Sequence, residues 1–165
     1  MFIYFFFLLI HFFAAVFWVG GMLFFVFVFG PVYRDPEFLS IKSRLLFKIA
    51  IQFRRISYYI FIILLSSGIV VAYFKGYFLS YYQLSYWMSS HGRILILKMT
   101  LFLLLVINSI IHDFFIGPIA FKEMQLNSEL WLKSRKYASF FGRSNLFISL
   151  LIAILGLAYS RGLGF

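Results

Sequence analysis

Four apolar stretches of the chain run without a charged side chain: residues 1–33, 56–74, 99–112 and 144–160. Between them the polar residues crowd together, and the contrast predicts four helices, about 3–30, 56–78, 93–116 and 142–161. A helix needs about 20 apolar residues to cross a bilayer. Each stretch with its flanks reaches that length. Gly30-Pro31, Gly76, Gly92 and Gly117-Pro118 punctuate the helix ends. No linker, low-complexity tract or clear internal repeat stands out, so residues 1–165 read as one four-helix unit. The fold class expected is all-α, an integral membrane antiparallel four-helix bundle.

Composition narrows this further. Of the 165 residues, 64% are hydrophobic and 12% charged, against roughly 45–50% and about 25% in soluble domains. A soluble globular enzyme is excluded on that ground. Aromatics at 24% exclude low-complexity disorder. The absence of cysteine removes disulfides, thiolate-ligated zinc, iron–sulfur clusters and thiol catalysis together. A cofactor or metal must then be held by His, Met, Lys, Tyr or carboxylates.

The net charge of +10 would suggest nucleic acid in a soluble protein. Its placement says otherwise. Arg34, Lys42, Arg44, Lys48, Arg54 and Arg55 lie between the first two spans, and Lys122, Lys133, Arg135, Lys136 and Arg143 between the last two. Cytoplasmic connectors carry the excess of Lys and Arg. The expectation is therefore a multi-pass protein of the inner (cytoplasmic) membrane, with both termini outside and the basic residues meeting anionic lipid, not nucleic acid. The first apolar stretch has no basic leader and is too long for a signal peptide, so it is expected to be a retained span. Tyr77, Tyr81, Tyr82, Tyr86 and Trp87 form an aromatic belt at the opposite interface.

Apolarity cannot separate a lipid face from a core face, so small and polar residues must. His11, Ala14, Ala15, Trp18, Gly21 and Met22 mark the inward stripe of the first helix. Tyr59, Ser66 and Tyr73, with Ser67 and Gly68, mark the second. Lys98, Leu105, Asn108, Ser109 and His112 mark the third, and Asn145, Ser149, Gly156 and Ser160 the fourth. Within these stripes His11 and Lys98 are ionisable groups inside the membrane, which is a functional hypothesis by default. At about 1.5 Å per residue they lie roughly 12 Å and 8 Å below the same surface, and His112 roughly 28 Å down. His11 and His112 are thus expected to be too far apart to share one haem. His91 stands at the outer mouth. A copper reading rests on imidazole and thioether donors, here His11, His91, Met22 and Met88.

The run His11-Phe-Phe-Ala-Ala-Val-Phe-Trp18-Val-Gly20-Gly21, continuing to Gly30-Pro31-Val-Tyr-Arg34, resembles the first helix of the copper-resistance protein D-like superfamily. Gly92-Arg93-Ile-Leu-Ile-Leu-Lys98, His112-Asp-Phe-Phe-Ile-Gly-Pro118 and Phe141-Gly-Arg143-Ser-Asn145-Leu resemble its later elements, in order, over nearly the whole chain. Relatives in that superfamily include a four-helix family of unknown function and the J-type protoporphyrinogen oxidases. The resemblance implies a haem- or copper-handling membrane protein. Carried over from the oxidase branch, it implies roles for His11 and Lys98 in b-type haem. That branch follows its last-helix Asn with Glu, whereas Asn145 here precedes Leu146.

The leading expectation is a membrane b-type cytochrome binding haem b and transferring electrons, with quinone or a redox protein as partner. A copper-handling protein or transporter is the alternative, and a haem-dependent porphyrinogen oxidase a further one. The candidate cofactor-binding residues are His11, His91, Lys98, Arg93, His112 and Trp18, and the candidate metal ligands are His11, His91 and His112. A homodimer is expected, and no catalytic residue is assigned.

Overall fold

The computed structural model describes residues 1–38, 41–77, 80–126 and 129–162. Helices account for nearly all of these, and no strand occurs among them. Four are long and apolar enough to cross a membrane: α1 Phe2–Val32, α2 Arg44–Lys75, α4 Ser90–Gln125 and α5 Trp131–Ser160. The short α3, Leu84–Met88, leads directly into α4. The protein is a multi-pass membrane bundle.

The long helices have 30 to 36 residues, which at 1.5 Å per residue is about 45–54 Å. The hydrocarbon core is only about 30 Å thick. Much of the surplus lies at the basic end: α2 begins at Arg44, α4 runs on to Gln125, and α5 starts at Trp131. Charge ends the apolar run at these places, but it does not end the helical hydrogen bonding. The sequence pattern marks where lipid stops, and the helices continue beyond it.

The interior is small and unusually polar. Ala14, Trp18, Met22, Phe61, Ile94, Leu105, Ala120 and Leu155 are its buried apolar members, joined by Ser57, Ser67, Ser109, Asn145 and Ser149. Phe12, Phe13, Phe17, Phe27, Ile62, Leu103, Phe147 and Ile154 are exposed on the outside. Lipid is as apolar as these side chains, so helix association relies on close packing and interhelical hydrogen bonds.

α1 packs chiefly on α2, and α4 on α5. These two hairpins repeat each other. A π-helical turn, Phe25–Phe29, precedes Gly30-Pro31 in α1, and another, His112–Ile116, precedes Gly117-Pro118 in α4. The Gly30 N–H bonds the Phe25 carbonyl and the Gly117 N–H the His112 carbonyl, each five residues back. Proline has no N–H and crowds the carbonyl four residues before it, and widening the turn relieves the crowding. The same displacement of 87 positions carries buried Trp18 to buried Leu105 and buried Met22 to buried Ser109. Between α2 and α5 the displacement is 88, carrying Ser57 to Asn145, Phe61 to Ser149 and Ser67 to Leu155, all buried. Both hairpins start at the aromatic end. α1 also meets α5, and α2 meets the far part of α4. A two-fold rotation about the bundle axis therefore relates the halves, as in parallel-repeat membrane proteins.

The sequence pattern hides this repeat for two reasons. A one-residue difference between the displacements breaks the register. The shared residues are also few in a uniformly apolar background, among them Gly30/Gly117, Pro31/Pro118, Phe53/Phe141, Arg55/Arg143 and Gly68/Gly156.

Because each half is a complete hairpin, the connector between them is dispensable for association. A protease site inserted between Tyr82 and Gln83, cut in detergent, is expected to leave two fragments that elute together at the intact protein's volume. Separation of the fragments on size exclusion would contradict the two-hairpin architecture.

Candidate functional site

Three polar clusters occupy the bundle at different depths. The first surrounds His11. Its ring lies against Gly68, where an added Cβ would stand 3.2 Å from His11 Cε1. Nδ1 is 3.0 Å from Ser67 Oγ. The Ser67 hydroxyl has one proton, and it donates that to the Ile63 carbonyl. With that proton on Ile63, Ser67 Oγ accepts from His11 Nδ1, the tautomer in which Nε2 keeps its lone pair. Such second-sphere hydrogen bonds orient metal-binding imidazoles.

Lys98 occupies the position in the second half that His11 holds in the first. It too packs over a glycine: an added Cβ at Gly156 would stand 3.3 Å from Lys98 Nζ. Lys98 is within electrostatic range of His11 and also of Lys75. Lys75 Nζ stands 5.0 Å from the centre of the Tyr159 ring. His91 meets the same ring edge-on with centroids 5.9 Å apart, and Tyr159 shares a 3.2 Å hydroxyl contact with Tyr86. His11, Lys98, Lys75 and His91 thus belong to one end of the bundle. Arg93 is on the same end and exposed.

His91 is set by the start of α4. Ser89 caps the helix, accepting from the Gly92 N–H at 3.2 Å. The backbone of α3 presses so closely on Gly92 that an added Cβ would fall 2.1 Å from the Tyr86 carbonyl oxygen. Only glycine fits there.

The second cluster lies at the bundle centre. Trp18 donates its indole N–H to Ser149 Oγ at 2.7 Å and packs on Phe61 and Phe53, with centroids 4.6 Å and 5.7 Å away. Asn108 donates to Asn145 Oδ1 at 2.6 Å, and Asn145 donates to Ser109 Oγ at 3.1 Å. Trp18 sits two turns deeper than His11, about 10 Å at 1.5 Å per residue, as a packing and hydrogen-bonding residue.

The third cluster lies at the basic end. His112 Nδ1 is 2.9 Å from Asp113 Oδ1, and Tyr58 donates to Asp113 Oδ2 at 3.3 Å. Arg54 donates to the Asp113 carbonyl at 2.9 Å and stands 5.0 Å above the Phe114 ring. His11 touches α2 at Ser67 and the third cluster touches it at Tyr58, nine residues away, or about 14 Å. The structure accordingly gathers His11, Lys98 and His91 toward one end and leaves His112 at the other.

Sequence reasoning assigned no site role to Ser67, Lys75, Arg54 or Tyr58. Ser67 is one of several serines on its helix, and Arg54 reads as one more topology charge. Only the tertiary pairing reveals them. Among the described residues no three His, Cys, Asp or Glu side chains converge to hold a metal ion by themselves.

The chain is 31% identical over 157 residues to a protein of Aquifex aeolicus (strain VF5) described as an uncharacterized protein, and the match covers 94% of each chain. The chain belongs to the same family as that protein. No family model matches it, and no solved structure does.

Gly92→Ala is expected to lower stability by about 1–3 kcal/mol through overpacking, because the clashing atom is backbone. Gly20→Ala, where no heavy atom lies within 4 Å, serves as the neutral comparison. Thermal melting in detergent reads both, and equal melting temperatures would contradict the α3–α4 contact.

Proposed function

We propose that the protein is a b-type cytochrome of the cytoplasmic membrane. In this reading both termini lie outside, and haem b held at His11 exchanges electrons with a membrane quinone or a redox protein. The observation that carries the reading is the 3.0 Å contact between His11 Nδ1 and Ser67 Oγ, which suits the tautomer with its lone pair on Nε2. An imidazole so oriented is an axial ligand in waiting.

Charge supports the same reading. All five acidic residues, Asp35, Glu37, Asp113, Glu123 and Glu129, belong to the basic end or its connectors. Among the described residues the His11 end has Lys98, Lys75, Arg93 and Arg161 without an Asp or Glu. Haem b brings two propionates, and Lys98 with Lys75 would hold them. Glycines at 68 and 156 let the His11 ring and the Lys98 side chain pack closely against the neighbouring helix.

The donor set favours haem over free copper. A haem supplies four ring nitrogens and asks the protein for one or two ligands, which this cluster can give. A copper ion needs several protein donors at one point. Met22 is packed in the central core with Trp18, and Met88 is exposed. Bound haem supplies the one-electron couple of its iron. The chain's part is to orient His11, neutralise the carboxylates and wrap the site in Phe, Leu and Ile.

The test is a reduced-minus-oxidised spectrum of the purified protein. A b-type α band is expected, abolished in His11→Ala and weakened in Lys98→Gln, with both variants eluting as the intact bundle. A colourless, folded protein after expression with haem supplied would overturn the proposal.

A further inference from the structure

The third cluster is not needed for haem at His11, and its construction is informative. In the π-turn of α4 the Gly117 N–H is taken by the His112 carbonyl, and Pro118 has no N–H to give. The Asp113 carbonyl is left without its usual helical partner, and Arg54 fills that place from α2. The Asp113 carboxylate accepts from Tyr58 on one oxygen. Ionised, it is acceptor-only, so at its other oxygen His112 Nδ1 must donate. In the neutral imidazole His112 Nε2 then keeps a lone pair, and the His112 side chain is 30% exposed.

The other half of the molecule provides a control. Its π-turn has the same backbone with Phe25 and Val26 in place of His112 and Asp113. The positions matching Arg54 and Tyr58 are Gly142 and Leu146. The turn therefore forms without any of these polar groups. Ionisable residues within a span are costly, and a purely structural need for them is absent.

We propose that the cluster binds the headgroup of a lipid-soluble hydroquinone. A ring hydroxyl donates to His112 Nε2, and the ring packs beside Phe114 and the Arg54 guanidinium. Phe114 and Phe115 are exposed on the outer surface of the bundle, so a ligand with an apolar tail reaches the cluster from the bilayer. A lipid phosphate diester has no proton to offer Nε2 and meets the Asp113 carboxylate. A hydroquinone supplies the proton donor and a ring for the cation. Aromatic contacts continue inward from Tyr58 to Phe61, at 6.0 Å, and from Phe61 to Trp18, at 4.6 Å. The proposal names the redox partner of the cytochrome reading and rests on that reading for its purpose, not for its geometry.

The experiment titrates a decyl-substituted benzohydroquinone into the protein in quinone-free nanodiscs, read by calorimetry. Saturable binding is expected. His112→Phe and Asp113→Val import the residues that the first half already uses in this turn, so the fold is retained. His112→Phe removes the accepting nitrogen and Asp113→Val the carboxylate that orients it, and each is expected to weaken binding about tenfold or more. Absent binding, wild-type affinity in both variants, or full displacement by phosphatidylglycerol would overturn the proposal. His11→Ala, which removes the haem ligand, is expected to leave hydroquinone binding in place. Loss of haem colour and loss of hydroquinone binding are therefore separate readouts.

Discussion

The bundle depends on satisfying polar atoms where no water reaches. Within hydrocarbon an unpaired donor or acceptor costs several kcal/mol, and apolar packing alone cannot tell a helix partner from lipid. Asn145 meets both demands at the crossing of α4 and α5. Its amide accepts from Asn108 and donates to Ser109, and its carbonyl accepts from Ser149. Ser149 in turn accepts from Trp18 and so ties in α1. Three helices are joined through one short chain of hydrogen bonds, each with few alternatives. The surrounding Phe, Ile and Leu need only be apolar.

The two-fold relation explains why the candidate site is built as it is. His11 and Lys98 stand at matching positions of matching helices, each over a glycine of its own hairpin partner. Equal depth is a product of the repeat. What differs is the chemistry: one position carries an imidazole, the other a lysine amine. At the basic end the two matching sites differ more sharply, since the polar cluster between α4 and α2 corresponds to Phe25, Val26, Gly142 and Leu146 on α1 and α5.

Much of this was legible in the sequence, and the limits are physical. The spans could be read because lipid selects long apolar runs. His11 and Lys98 could be read because an ionisable residue in such a run is conspicuous. The helical extensions at Arg44 and Trp131 could not, since charge and helix end need not coincide. Trp18 read as a neighbour of His11 from its helical face, but its indole reaches α5 deeper in the bundle. Ser67 and Gly68 became specific only when the fold set them against the His11 ring. Arg54 became specific only when Pro118 left a carbonyl for it to serve.

The His11–Ser67 bond also bears on the order of assembly during synthesis. Both residues belong to the first hairpin, and their separation is 56 positions. A nascent chain that has released only its first half into the bilayer can therefore already settle the most exacting polar group of that half. The second half then arrives at a partner whose imidazole is aimed and whose helices are paired. Insertion of the bundle becomes two similar events in succession, each leaving the growing chain on the side from which it started.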